Sequence, residues 1–186
     1  MKTSLIKNIN RVIKTLDGFL KFDDGTLIIN PRFQKKIENG NGFAVGHRFE
    51  GVGTDESIYM YFENPINSGV KAYIISILVT STAKAYIDIF RNNTVLNPGI
   101  TLKPINLNFA SNNTSKIHVE YGGTYSLGVR TLDDLNPGGV IATAIGWVSD
   151  VGESVVVNPG SNFVIKITNK SNVTEDIAIR IIWWEE

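Results

Sequence analysis

Strand-like runs alternate with turn signals through the last third of the chain. Val155, Val156 and Val157 lead into Asn158-Pro159-Gly160. Phe163, Ile165 and Ile167 follow two residues apart. After Asn169-Lys170-Ser171-Asn172, so do Ile177, Ile179, Ile181 and Trp183. Successive strand residues point to opposite faces, so each run carries one apolar face and one mostly polar face. Such runs need antiparallel partners and a second layer to bury against. The pattern predicts an all-β, antiparallel β-sandwich.

The same signals extend upstream. Ile58, Met60 and Phe62 alternate with Ser57, Tyr59 and Tyr61. Ala72–Thr80 is apolar on both faces and reads as a central strand. Ala85, Ile87 and Ile89 alternate with Lys84, Asp88 and Arg91, and Lys116–Tyr121 sets Ile117, Val119 and Tyr121 inward with Lys116, His118 and Glu120 outward. Leu102–Phe109 is a weaker strand, because Pro104 places it at an edge or a bulge. With Val140–Val148 and Val151–Val157 this gives about eight or nine strands, the number of a jelly-roll-like sandwich. Asn-Pro-Gly recurs at Asn97, Asn136 and Asn158, and each tripeptide fits a type II turn. The intervals between them differ, so no sequence repeat is implied.

The first 50 residues read differently. Leu5, Ile9, Val12 and Leu16 fall at helical spacing over residues 3–16, with Lys7, Arg11 and Lys14 on the polar face. So short a helix must dock, either on its own domain or on a partner. Phe19–Phe22 and Thr26–Ile29 around Asp24-Gly25 form a hairpin with a type I′ turn. Asn30–Gly53 is polar and glycine-rich and is expected to connect the arm (residues 1–50) to the body (residues 51–186). Residues 1–50 carry nine Lys/Arg against five Asp/Glu, and the remainder nine against thirteen. That imbalance is either chance or a basic arm for an acidic partner, weakly contacting nucleic acid or a membrane.

Composition narrows the chemistry. Hydrophobic residues make up 42% of the 186, enough for a real core. No cysteine is present, which removes disulfides and thiolate metal sites. Two histidines cannot build a multi-histidine metal site within one chain. His118 reads as a solvated strand histidine, and His47 as a histidine in a glycine-rich loop. The acidic pairs Asp23-Asp24 and Asp133-Asp134 lack the alternation of a calcium loop. No nucleophile elbow and no phosphate-binding loop is present. The expectation is no catalytic residue, no cofactor and no metal. Sequons begin at Asn92, Asn112, Asn113, Asn169 and Asn172. Tyr59, Tyr61, Trp147, Trp183 and Trp184 are candidate sugar-stacking rings. Trp183 and Trp184 must face opposite ways, so one joins the core and the other is covered by the arm or by another subunit, or is exposed.

The segments Glu63-Asn64-Pro65-Ile66-Asn67-Ser68-Gly69-Val70-Lys71-Ala72-Tyr73-Ile74, Ala85–Asn92, Leu102–Asn108 and Ile182-Trp183-Trp184-Glu185-Glu186 carry a resemblance. Over residues ~19–186 the chain resembles small β-sandwich virion proteins of tailed phages and other prokaryotic double-stranded DNA viruses. These are capsid, head-decoration, turret or fibre components. The resemblance implies a non-enzymatic structural protein, made in the host cytoplasm and located in the virion. Its expected partners are itself, as a trimer or pentamer, and other capsid proteins. The attachment surface is expected at Leu5, Ile9, Arg11, Val12, Lys14 and Leu16, and an oligomer or arm contact at Trp184. The alternative is a carbohydrate- or receptor-binding sandwich module with a glycan receptor.

Overall fold

The computed structural model describes residues 20–23, 26–29, 32–137, 143–148 and 155–186, with side chains for 33–137 and 155–186. The helix expected over residues 3–16 lies outside the described residues. The expected hairpin is present as β1 (Leu20–Asp23) and β2 (Thr26–Ile29), paired from Leu20↔Ile29 to Asp23↔Thr26. Its Asp24-Gly25 connection lies outside the described residues.

A helix then forms where a connector was expected. α1 (Arg32–Glu38) ends at Gly40, whose φ is 74°. Gly40 N donates to Ile37 O at 2.8 Å and Asn41 N to Lys36 O at 2.8 Å, which closes the last carbonyls in a Schellman cap. The next strand, β3 (Gly42–Val52), crosses the boundary expected near residue 50 and lies in a sheet of the body. His47 is therefore a strand residue, not a loop residue. Phe43, Val45, His47 and Phe49 alternate along it as strand geometry requires.

The remaining strands are β4 (Ser57–Asn64), β5 (Ala72–Ser81), β6 (Ala85–Arg91), β7 (Thr94–Asn97), β8 (Ile100–Leu102), β9 (Ile105–Asn106), β10 (His118–Tyr121), β11 (Thr124–Ser126), β12 (Val129–Asn136), β13 (Thr143–Val148), β14 (Val155–Val157), β15 (Ser161–Asn169) and β16 (Glu175–Glu185). One sheet runs β13-β5-β16-β3-β9, with β14 also on β5, and the other β12-β6-β15-β4-β10-β8. Eight of these strands (β3 to β6, β12, β13, β15 and β16) switch between the two sheets in the order of a double Greek key, so the sandwich is a jelly roll. The excursion from β6 to β12 adds β7–β11 at one side. Lys103-Pro104 is the corner where this excursion leaves the second sheet at β8 and joins the first at β9. Pro104 cannot donate to a ladder, so the strand expected over Leu102–Phe109 breaks there.

The core lies between the sheets. Ile177, Ile179, Ile181 and Trp183 of β16 are at most 2% exposed, as their spacing of two predicts. Burying each such aliphatic side chain stabilises the fold by about 1.5–3 kcal/mol. Phe62 stacks on Phe163 at 4.8 Å and meets Trp183 edge-on at 5.3 Å. Asn158-Pro159-Gly160 is the expected type II turn, with Gly160 at φ 78° and Ser161 N bonded to Asn158 O at 3.0 Å. Gly99 in the first tripeptide has no positive φ. It is needed because a Cβ there would run into the Tyr121 carbonyl. Among the described residues no helix is long and apolar enough to cross a membrane.

Candidate functional site

Three places hold groups that could carry function. The first is the outer face of the first sheet. Trp184 is 3% exposed and stacks on Tyr73, and Lys36 of α1 lies 4.7 Å above its ring. Lys36 also pairs with Glu186 at 3.0 Å. Residue 185 points back toward the core side. Buried Glu185 accepts from Ser115 Oγ at 2.5 Å, Lys116 N at 3.0 Å and Trp183 Nε1 at 3.0 Å. The C-terminal strand thus ties down both α1 and the loop before β10. The other residues expected for attachment, Leu5, Ile9, Arg11, Val12, Lys14 and Leu16, lie outside the described residues.

The second place is the outer face of the second sheet, under the β7–β11 ribbon. Glu120 faces outward with His118, but it is 3% exposed because the ribbon covers it. Tyr125 Oη donates to Glu120 Oε1 at 3.0 Å, and His118 Nε2 lies 3.1 Å from Glu120 Oε2. Tyr125 in turn stacks on Tyr61 at 5.4 Å. Gly123 lets the ribbon come this close, since a Cβ there would strike the Tyr125 ring. Burial, then the charges of Glu63 and Glu120, pushes the Tyr61 hydroxyl up to about 12. Burial and the Glu120 hydrogen bond push Tyr125 upward as well. Glu120 orients His118, the arrangement a general base needs. Among the described residues, however, no hydroxyl or amine nucleophile bonds to the imidazole. The expectation of a simply solvated His118 missed this buried partner, because alternation alone cannot foresee a ribbon folding over a polar face.

The third place is the surface of the β6–β12 excursion. Val95, Leu96, Ile100, Ile105 and Phe109 are 36%, 58%, 62%, 56% and 88% exposed. They are five of the thirteen large apolar residues exposed among those described, and exposed apolar side chains are what contact surfaces use.

Other candidates resolve as structural. His47 stacks on Tyr121 at 3.6 Å, with Phe49 edge-on to both, where the sheets meet at one side. Burial lowers its pKa. Tyr61, Trp183 and Trp184 are buried, Tyr59 is half-buried, and the side chain of Trp147 lies outside the described residues. Asp133 sits 3.6 Å from Arg130, while Asp24 lies outside the described residues. Among those described, no group of three metal-ligating side chains gathers. Asn92, Asn112, Asn113 and Asn172 are exposed. Asn169 is buried and donates to Val52 O at 2.9 Å and Val173 O at 2.8 Å. Comparison with known protein families, curated proteins and solved structures found no match.

Proposed function

We propose that this chain is a non-enzymatic structural component of a virus particle, assembling with copies of itself into a capsid or a surface appendage. The observation that carries the reading is the strand order, in which eight strands switch between two sheets as a jelly roll. That architecture is shared by viral shell proteins and by lectin domains, so the step from fold to role is an analogy of architecture. The exposed apolar residues of the β6–β12 excursion support association, because a self-assembling subunit must offer such a surface to its neighbours. The glycan-binding reading lacks its platform at Tyr61, Trp183 and Trp184, whose rings are buried.

Electron microscopy of the purified chain tests the proposal. Closed rings or shells with threefold or fivefold symmetry are expected. A field of single subunits at every concentration would overturn it.

A further inference from the structure

The two sheets part along the edge where β12 faces β14. An open cleft of about 470 Å³ enters the sandwich there. Its floor is the core itself, since Ile74, Ile77, Val157 and Phe163 are all less than 9% exposed. Its walls are Ile89 and Leu132 on one side and Val155, which shares the face of Ile74, on the other. The size falls within the range of about 300–1,000 Å³ usual for small-molecule sites, and the lining is mainly apolar as such sites are.

The lining also carries polar groups. Arg91 pairs with Phe163 across β6 and β15, and paired residues share a face, so Arg91 follows Ile89 on the inner face of β6 rather than the polar face expected from the sequence, with its side chain exposed at the end of the strand. Asn92, Thr131, Asn158 and Ser161 line the cleft as well. The amide of Asn162 is already engaged with Asn93, at 2.8 Å and 3.1 Å. Among the described residues Arg91 forms no ion pair. A solvent-exposed guanidinium at the mouth of an apolar cleft is matched by a ligand with an anionic head and an apolar tail.

We propose that this cleft binds a single-chain anionic amphiphile of the long-chain fatty carboxylate class. The tail lies against Ile77, Ile89, Leu132 and Val155. Each methylene removed from water contributes about 0.8 kcal/mol. The carboxylate meets the Arg91 fork, the geometry that binds such groups with two parallel hydrogen bonds. Asn92 and Asn158 supply further amide donors. This binding is independent of the assembly reading, because the apolar residues invoked there lie on the β6–β12 excursion rather than in the cleft.

Calorimetric titration of the full chain with dodecanoate, below its micellar concentration, tests the site. One saturable equivalent is expected. Arg91→Gln should weaken binding about tenfold, the loss expected for a charged hydrogen bond. Dodecyltrimethylammonium, with the same tail and the opposite head charge, should bind at least about tenfold more weakly than dodecanoate. Val155→Trp fills the wall from a position that is 40% exposed and shares its face with core Ile74, and should abolish binding in a chain whose unfolding midpoint is unchanged. Leu132→Trp, at a position 40% exposed, serves the same purpose from the opposite wall. No saturable dodecanoate binding, equal affinity for the two head groups, or binding that survives both wall substitutions would overturn the proposal.

Discussion

Tyr73 and Trp184, directly paired across β5 and β16, stack face to face at 3.8 Å with 4° between their planes. The stack covers the outer face of the first sheet, and Lys36 closes over it from α1. A seven-residue helix is too short to persist alone, so its position depends on this contact and on Gly42. A Cβ at Gly42 would come within 2.7 Å of Ile37 Cγ1, so only glycine lets the helix sit so near β3. Trp184→Ala is expected to cost about 3–5 kcal/mol in urea unfolding. Lys36→Ala, which loses a partly exposed ion pair and a cation–π contact, should cost about 1 kcal/mol or less. Near-equal losses for the two variants would contradict this division.

Glu120 and Tyr125 should be energetically coupled. Their bond is buried and charge-assisted, so a double-mutant cycle with Glu120→Ala and Tyr125→Phe, each of which removes one partner, is expected to give about 1.5–3 kcal/mol. Additive effects in that cycle would mean that the ribbon is held by packing of Tyr61, Tyr125 and Val164 alone.

Alkaline pH should unfold the chain through the same cluster. Burial and the charges of Glu63 and Glu120 push the folded Tyr61 hydroxyl from the ordinary 10.0 up to about 12. The folded state therefore holds its proton longer, and stability is complete below 10 and falls as pH rises toward 12. Ultraviolet titration should show tyrosine ionisation delayed until the fold is lost. Tyr61→Phe should flatten the alkaline limb of stability, and an unchanged limb would remove Tyr61 as its source.

Acid pH should act through His47. Its folded pKa lies below the usual 6.5 because burial against Tyr121 and Phe49 disfavours the charged ring. The unfolded chain then takes up the proton first. Stability from this group is present above 6.5 and is lost as pH falls through the lower folded value. The difference in stability between the chain and its His47→Phe variant should depend on pH with that sign. A difference that stays constant from neutral to acid pH would contradict it.

The strands of the last third were legible because Ile177, Ile179, Ile181 and Trp183 bury one face only, which forces a period of two. β3 was hidden by Gly42 and Gly46, which resemble connector residues. They serve close approach instead, of Ile37 in one case and of the Ile179 carbonyl in the other. β12 was illegible for a different reason. A bulge between Arg130 and Leu132 breaks its alternation, and as an edge strand exposed along seven of its eight residues it shows no apolar face. The Glu120 cluster could not be read at all, because Tyr125 reaches it through the fold of the ribbon. The cleft beside Arg91 likewise depends on register between β6 and β15, which no single run of residues contains.

The central claim is self-association through the β6–β12 excursion. Light scattering of the full chain beside its Ile100→Lys/Phe109→Lys variant tests it most directly. These side chains are 62% and 88% exposed, so the changes should leave the fold intact. A defined trimer or pentamer is expected for the chain and a folded monomer for the variant. A chain that is monomeric at every concentration, or an oligomer that survives both substitutions, would contradict it.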